Sequence, residues 1–349
     1  MKDILLIYRA QVFDSEIKPR LEEFKNDNVT LVVEDEINNY LMSHLIRDLK
    51  QNITLITSDN LLDDNIITKF MKFNVIIGNP PYQKRVGPNK TEPIWDKFVK
   101  KCINLLKPNG IMEIIHPSGW RNIDGRFKDI KKLILSKQID YIEMHDVSDG
   151  LKTFGAGTRY DIYKLINTKP FKNTDVKFEN GVLKNMNLLD FEFIPNLYYE
   201  NITNVISDNT KPKIDFLYSR SDYGSDKPHM NKTQSNIYTH PCVQNVDVKN
   251  NISCFWYSNN KDNGHFGIPK VIFGRKSSGV FFDKEGKYGL SQDCAAIIDS
   301  IENLEIIENV LKSNKFLDFM KAFDFGGVND RYNRKIIATF RKDFWKEFI

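Results

Sequence analysis

Apolar residues in the first half of the chain form short runs separated by stretches with helical spacing. Strands are predicted at residues 4–8, 29–33, 53–57, 73–77, 111–115, 139–143 and 159–166. Helices are predicted up to about Phe24 and over residues 36–49, 93–106 and 127–135, with a turn at 107–110. Strands that alternate with helices predict an α/β fold with a mostly parallel sheet covered on both faces.

The amino-acid composition of the chain changes after residue 166. Residues 167–196 are polar and rich in Lys and Asn, which is typical of a connection between domains. Residues 197–349 carry many turn residues and aromatics without a clean period, apart from a helix near 304–320. We therefore expect a first domain at 1–166, a connection at 167–196 and a second, mixed α+β domain at 197–349.

Composition narrows the class of protein. Of the 349 residues, 41% are hydrophobic and 28% are charged, which is typical of a globular chain. No apolar run approaches the ~18 residues of a membrane span, and the apolar stretch at the N-terminus is too short for a signal peptide. We expect a cytoplasmic protein, or a nuclear one if the host has a nucleus, that acts away from membranes.

Cysteine usage and charge add two further expectations. The four cysteines are far apart and form no CxxC pair, so we expect free thiols and no bound metal. The net charge is +4, and residues 211–349 contain 21 Lys and Arg against 17 Asp and Glu. A small basic excess confined to the second half permits a nucleic-acid partner without establishing one.

The candidate chemistry is concentrated in one tetrapeptide that follows the strand at 73–77 and Gly78. In α/β sheets the ligand site lies beyond the carboxyl ends of the strands, and two consecutive prolines fix a stiff turn there. The Asn amide oxygen and the first proline carbonyl can accept hydrogen bonds from an exocyclic amine, and the Tyr ring can stack on a base. A base inside a duplex reaches such a pocket only after it is flipped out. The four residues are Asn79, Pro80, Pro81 and Tyr82.

With this motif the sequence resembles the N6-adenine DNA methyltransferases of restriction-modification systems, in the group that combines specificity and methylation in one chain. Residues 93–98, 106–110 and 116–121 resemble the segments that follow NPPY in that group. The resemblance implies a Rossmann-like domain, S-adenosylmethionine as cofactor and a flipped adenine in double-stranded DNA as substrate.

The same resemblance implies which residues hold the cofactor. Glu36 and Ile37, after the second strand, match the acidic motif for the ribose, and Asp59 and Asn60, after the third, match the motif for the adenine. Asn79 would border the cofactor as well as the base. The plainer interpretations are that Glu36 is a favourable acid at a helix start and that Asp59 caps a turn.

The cofactor site departs from the family pattern at one point. The family carries a glycine-rich loop after the first strand, where backbone approaches the methionine moiety of the cofactor. Here residues 8–14 contain no glycine, and the first glycine of the chain is Gly78. The cofactor is then held in an altered way, or a partner subunit completes the pocket, or cofactor binding has been lost.

For the second domain, the resemblance implies a target recognition domain. Residues 268–275 resemble a strand that recurs in such domains. Arg and Lys side chains contact phosphates and guanine edges, although a solvated basic loop is an equally good interpretation. The predicted DNA contacts are Arg121 at the mouth of the cleft, Arg275, Lys276 and Ser277 after the strand, and Arg331 and Arg334 near the C-terminus.

Three other features are given structural roles. His116 is expected to be a buried, hydrogen-bonded histidine, because the proposed chemistry needs no general base of that kind. Trp95 lies within a helical stretch and is expected in the core. Residues 154–157 resemble a phosphate loop only superficially, because they precede a strand and open no helix.

Two alternative functions stay open at this point. The chain could be a degenerate or partner-dependent relative that binds DNA as a subunit without methylating it, which the missing glycine loop favours. It could also be an NPPY enzyme that acts on RNA or on a protein glutamine, which the long second half disfavours.

Overall fold

The computed structural model describes residues 1–8, 13–47, 49, 51–63, 72–88, 90–123, 125–190, 192–207, 211–274, 279–325 and 332–349. Within them the chain forms two compact units, Met1–Ile194 and Pro195–Ile349.

The first unit is built on a nine-stranded sheet. Its strands and an exposed hairpin (β5 and β6) are, in chain order, β1 (Asp3–Ile7), β2 (Asn28–Val33), β3 (Ile53–Thr57), β4 (Phe73–Gly78), β5 (Gln83–Gly87), β6 (Lys90–Pro93), β7 (Leu106–Pro117), β8 (Gln138–His145), β9 (Tyr160–Ile166), β10 (Thr174–Lys177) and β11 (Leu183–Met186). The order across the sheet is β11-β10-β8-β9-β7-β4-β1-β2-β3. Only β9 and β11 run antiparallel to their neighbours among the described strands of this sheet, so the predicted α/β fold with a mostly parallel sheet is confirmed.

Helices pack on the sheet through their buried apolar residues. They are α1 (Lys18–Glu23), α2 (Glu36–Leu45), α3 (Ser58–Leu62), α4 (Trp95–Leu105), α5 (Lys128–Leu135) and α6 (Val147–Phe154). A π-helical turn at Phe13–Ile17 precedes α1, and a 3-10 turn at Ser118–Arg121 follows β7. On one face Leu21 and Met42 pack with Leu6 and Leu31. On the other, Trp95 of α4 stacks on His116 of β7 at 4.3 Å, which confirms its place in the core.

Two details differ from the sequence prediction. The turn expected at 107–110 lies inside β7, where the pairing with β4 shifts register between Phe73 and Val75. Asn109 takes a left-handed backbone conformation there, with φ of 61°, so the chain bends without leaving the sheet. The helix expected over 36–49 ends at Leu45.

The connection predicted at 167–196 is largely part of the first unit. In β10, Asp175 pairs with Tyr141 of β8, and β11 adds a further antiparallel strand at the edge. These strands were not predicted because apolar and polar residues alternate along an edge strand, and its polar residues are exposed. Such a polar segment resembles a linker in sequence. The first unit accordingly extends to Ile194.

The second unit combines short strands with four helices among its described residues. The strands are β12 (Asp215–Leu217), β13 (Met230–Asn231), β14 (His240–Val243), β15 (Asn245–Val246), β16 (Ile252–Ser253), β17 (Trp256–Ser258), β18 (Lys270–Gly274), β19 (Val280–Asp283), β20 (Gly289–Leu290) and β21 (Cys294–Ile298), and the helices are α7 (Ile202–Val205), α8 (Ile301–Lys312), α9 (Asn314–Met320) and α10 (Arg334–Ile337). They form sheets ordered β12-β21-β18-β19, β13-β17-β14-β20 and β15-β16. The helix expected near 304–320 is the pair α8 and α9.

Membrane-spanning helices and clusters of metal ligands are both absent from the described residues. No helix in this part of the chain has the length and hydrophobicity to cross a membrane. Nor do its His, Cys, Asp and Glu side chains form a group of three or more that could hold a metal ion. All four cysteines are free thiols, and three of them are buried.

Candidate active site

Parallel strands bring the predicted site residues to one edge of the sheet. β3, β2, β1 and β4 are neighbours in that order and run parallel, so their carboxyl ends lie side by side. Asp59 lies in α3, directly beyond β3, and Glu36 is the first residue of α2, beyond β2. Asn79 directly follows β4. The edge therefore carries both predicted cofactor acids and the start of the NPPY tetrapeptide.

Close packing of β4 against β1 fixes the start of the tetrapeptide. A Cβ atom at Gly78 would lie 2.3 Å from the carbonyl oxygen of Ile7, so only glycine fits at the end of β4. The next residue, Asn79, donates its backbone N–H to the same Ile7 oxygen at 2.8 Å. The sheet thus holds the backbone of Asn79, and the residue as a whole is partly exposed at the edge.

Pro80 is buried, and Pro81 and Tyr82 are half-buried. The Tyr82 carbonyl accepts a hydrogen bond from Ile94 N at 3.0 Å, and this bond joins the two ends of the β5–β6 hairpin just before α4 begins. This hairpin was not predicted from the sequence. On it, Lys84 forms an exposed ion pair at 3.3 Å with Asp59, one of the predicted cofactor residues.

An aromatic wall stands beside the tetrapeptide, and it was also missed. The ring of Phe154, the last residue of α6, lies edge-on to the ring of Tyr82 with centroids 5.7 Å apart. Phe154 in turn contacts Tyr160 of β9 edge-on at 4.9 Å. From the sequence, residues 154–157 were compared only with a phosphate loop, and an aromatic residue at a helix end does not by itself indicate a site. Two rings near a proline turn are suited to holding a flat, unsaturated ring.

Hydrogen bonds attach this wall to the sheet. Asp149 Oδ2 accepts from Tyr160 Oη at 2.5 Å and from His145 Nδ1 at 2.7 Å, and the His145 ring stacks on Tyr160 at 4.4 Å. The Tyr160 hydrogen bond, with that of His145, lowers the pKa of Asp149, while burial and the bond to Asp149 raise the pKa of Tyr160 to about 12. A Cβ at Gly150 would lie 2.0 Å from Thr158 O, so α6 packs directly on the loop that precedes β9.

The predicted cofactor residues are accessible. Ile37 is 73% exposed, and Glu36 is also exposed at the start of α2, where the adjacent Asp35 is the residue that caps the helix. The Asp59 side chain is 81% exposed, and Asn60 N donates to the capping hydroxyl of Thr57 at 3.4 Å. Neither acid is therefore the N-cap of its helix, which removes the capping explanation for Asp59.

The prediction that Arg121 contacts DNA is wrong. Arg121 is 0% exposed, and its Nε donates to Asp161 Oδ2 at 3.0 Å while its Nη1 donates to the Ile194 carbonyl at 3.3 Å. Trp120 also donates to Asp161, at 2.7 Å. A buried guanidinium must be paired with a carboxylate, and this one joins β9 to the end of the first unit.

His116 has the structural role expected of it. The ring is fully buried between Trp95 and Tyr163; its Nε2 lies 3.0 Å from Tyr163 Oη, and its Nδ1 lies 3.0 Å from the Pro117 carbonyl. Burial lowers the pKa of His116 from 6.5 to about 3. The hydrogen bond with Pro117 opposes this shift, and the charge of Arg121 adds to it.

We expect His116 to make the protein less stable in acid. The unfolded chain binds a proton at this ring below pH 6.5 and the folded chain does not until about pH 3, so stability is full above 6.5 and declines between these values. The loss is roughly 1 kcal/mol per pH unit. Urea unfolding of the wild type and of His116→Phe between pH 7 and pH 5 measures it, and the wild type should lose more. Parallel losses in the two proteins would contradict the assignment.

Of the residues predicted to bind DNA in the second half, Arg334 lies within the described part of the chain. Arg275, Lys276, Ser277 and Arg331 lie outside the described residues. Arg334 begins α10, where its guanidinium lies 4.1 Å from the Tyr218 ring centroid and donates to the Gln292 carbonyl at 3.1 Å. The strand predicted near 268–275 is β18, with Lys270 buried against Asp283 at 2.6 Å.

The first unit of the chain is similar to one known family of methylases. Residues 6–154 match the family model described as Eco57I restriction-modification methylase, from β1 to the end of α6. This segment is therefore similar to an Eco57I-type methylase domain. The match contains both predicted cofactor acids, the NPPY tetrapeptide and Phe154.

Two relatives share sequence with part of the chain. Modification methylase CviBIII of Paramecium bursaria Chlorella virus NC1A is 32% identical over 103 residues, which are 26% of this chain and 27% of that protein. An uncharacterized adenine-specific methylase of Mycoplasma pneumoniae is 35% identical over 115 residues, which are 28% of this chain and 27% of that protein. The chain thus spans about a quarter of the length of each relative it matches.

Solved structures give a weaker likeness. The M protein of the type I restriction enzyme EcoKI has a TM-score of 0.37 and 14% identity, over 50% of this chain and 43% of that one.

Proposed function

We propose that the chain is an adenine-specific DNA methyltransferase that transfers a methyl group to N6 of a flipped adenine. The observation that carries the proposal is the Asn79–Tyr82 tetrapeptide, held at the carboxyl edge of the sheet by Gly78 and faced by Phe154. The match of residues 6–154 to the Eco57I methylase family model supports it, as do the names of two relatives, a modification methylase and an adenine-specific methylase.

In this proposal each residue of the tetrapeptide has a defined task. The Asn79 side-chain oxygen and the Pro80 carbonyl accept hydrogen bonds from the N6 amine of the adenine, which concentrates its lone pair for attack on the methyl group. Pro81 keeps the turn stiff. Tyr82 and Phe154 contact the flipped base, which the duplex releases at a cost of a few kcal/mol.

When bound, S-adenosylmethionine would supply the methyl group and leave as S-adenosylhomocysteine, and the methylated amine would release one proton to water. The edge of the sheet fits this cofactor chemically. The exposed carboxylates of Glu36 and Asp59 can accept hydrogen bonds from ribose hydroxyls and from the adenine amine. The exposed Ile37 and the neighbouring Asn60 and Asn79 would complete that side of the site. Lys84, which pairs with Asp59, would have to share that carboxylate with the cofactor.

Double-stranded DNA is the proposed partner, and the second unit is its proposed target recognition domain over residues 197–349. Arg275, Lys276, Ser277, Arg331 and Arg334 are proposed to contact phosphates and base edges. A partner subunit that completes the cofactor pocket stays an alternative, as does a subunit that binds DNA without methylating it. The absence of glycine before Gly78 is the observation that favours both.

Methyl transfer from labelled S-adenosylmethionine to unmethylated genomic DNA tests the proposal. The purified chain is expected to produce N6-methyladenine, read by mass spectrometry of the digested DNA, and parallel reactions carry RNA or a protein extract. Label that appears only in RNA or in protein would contradict the substrate. Folded chain that binds DNA and leaves it unmethylated would favour the partner-dependent alternative.

A further inference from the structure

A cavity of about 300 Å³ opens at the carboxyl edge of the sheet, on the face that carries α1. Its floor is apolar and consists of Ile77, Ile115 and Ile162, from three adjacent strands. Gly78 also lines it, so the cavity reaches the residue that precedes Asn79. The cavity therefore adjoins the site described above without including its acids, Glu36 and Asp59.

Charged side chains surround the apolar floor. Arg20 of α1 donates from Nη2 to Glu113 Oε1 at 3.2 Å, across the cavity from β7, and from Nη1 to Glu23 Oε2 at 2.8 Å. Glu16 and the buried Tyr8 also line the cavity. Burial raises the pKa of Tyr8, against the Arg20 charge and hydrogen bond. The cavity is thus lined by one cationic side chain, two carboxylates and three isoleucines.

We propose that this cavity binds the α-amino-carboxylate end of S-adenosylmethionine, with Arg20 on the carboxylate and Glu113 and Glu16 on the ammonium group. The proposal rests on the proposed function. The three isoleucines would contact the methylene groups of the methionine chain. Because Gly78 joins the cavity to Asn79, a cofactor seated here extends towards the tetrapeptide.

The chemistry of the donors supports this assignment. A guanidinium offers five N–H donors in a fork that matches a carboxylate, and the contacts of Arg20 to Glu23, Glu113 and Tyr8 use at most three. An amino acid carries both charges on one carbon, so it needs a cation and an anion close together, and the Arg20–Glu113 pair provides them. A site for a plain anion would not place two carboxylates on the same cavity.

The assignment also accounts for the absence of glycine after β1. A glycine-rich loop holds a ligand through backbone N–H groups, which requires close approach of the chain. Side chains that reach across a cavity need no such approach. Of the alternatives left open by the sequence, this selects a cofactor held in an altered way, by the residues of the chain itself.

Two ligands that differ only at the proposed group test the assignment. S-adenosylhomocysteine carries the amino-carboxylate end, and 5′-methylthioadenosine lacks it. Calorimetry on the full chain measures both affinities for the wild type, Arg20→Met, Arg20→Lys, Glu113→Gln and the control Lys18→Met, which changes an exposed cation of α1 outside the cavity lining. Thermal unfolding of each variant checks that it is folded.

Arg20→Met and Glu113→Gln are each expected to weaken S-adenosylhomocysteine binding about tenfold or more, the usual worth of a hydrogen bond to a charged group. Binding of 5′-methylthioadenosine should stay within about twofold, Arg20→Lys should recover part of the loss, and Lys18→Met should change neither ligand. If the variants bind both ligands equally more weakly, or bind S-adenosylhomocysteine as tightly as the wild type does, the assignment of the cavity is overturned and the proposed cofactor is not. A wild-type chain that binds neither ligand overturns it together with the proposed cofactor.

Discussion

Alanine at position 79 is expected to abolish detectable methyl transfer while DNA binding stays within about threefold of the wild type. The substitution removes the side-chain oxygen that accepts the target amine in the proposed reaction. Loss of one such hydrogen-bonding group in an active site costs about 10²–10³ in kcat. The backbone contact of residue 79 with Ile7 does not involve the side chain, so the fold at the end of β4 should persist.

Three measurements separate a chemical role of Asn79 from a structural one. Incorporation of label into DNA reports methyl transfer, a gel-shift titration reports DNA binding, and thermal unfolding reports the fold. The control is Asn104→Ala, which removes the same group from an exposed position on α4 and should leave all three unchanged. Wild-type methylation by Asn79→Ala would exclude the tetrapeptide as the amine-binding group, and with it the proposed mechanism.

The candidate site residues whose positions could be predicted from the sequence are those that follow from a parallel sheet alone. Asn79, Glu36 and Asp59 come directly or closely after short apolar runs, and the carboxyl ends of neighbouring parallel strands meet at one edge. Periodicity was enough to find these strands, because buried parallel strands are continuously apolar.

Helix orientation could not be predicted in the same way. Ile37, Leu41 and Leu45 share one face of α2 at helical spacing, and this face is exposed, while Met42 is the residue that packs into the core. Spacing shows that a segment is helical, but the side that faces the sheet depends on where the chain enters and leaves.

The aromatic wall beside the tetrapeptide and the cavity were not predicted because their members are distant in sequence. Phe154 meets Tyr82 from 72 positions away, and Arg20 meets Glu113 across 93 positions. Each pair depends on the order of strands in the sheet, which alternation of strands and helices does not specify. A Phe at the end of a helix and an Arg in another have no local feature that marks them as neighbours of a site.

Arg121→Met is expected to destabilise the first unit by about 3–5 kcal/mol, the usual cost of leaving a buried charge without its partner. Asp161 would keep the Trp120 hydrogen bond and lose the guanidinium that balances its charge. Urea unfolding measures the loss. The control is Arg126→Met, a nearby surface arginine, for which a change within about 0.5 kcal/mol is expected.

The double variant Arg121→Met with Asp161→Asn decides whether the buried pair is the cause. Removing the second charge should restore part of the lost stability, because the penalty comes from the unpaired carboxylate and because the introduced amide oxygen can still accept from Trp120. The salt dependence of DNA binding distinguishes this role from the one that the sequence suggested. A phosphate contact would lower the slope of log K against log salt by about one when Arg121 is replaced. A stable Arg121→Met protein with that reduced slope would show that the side chain faces DNA and not Asp161.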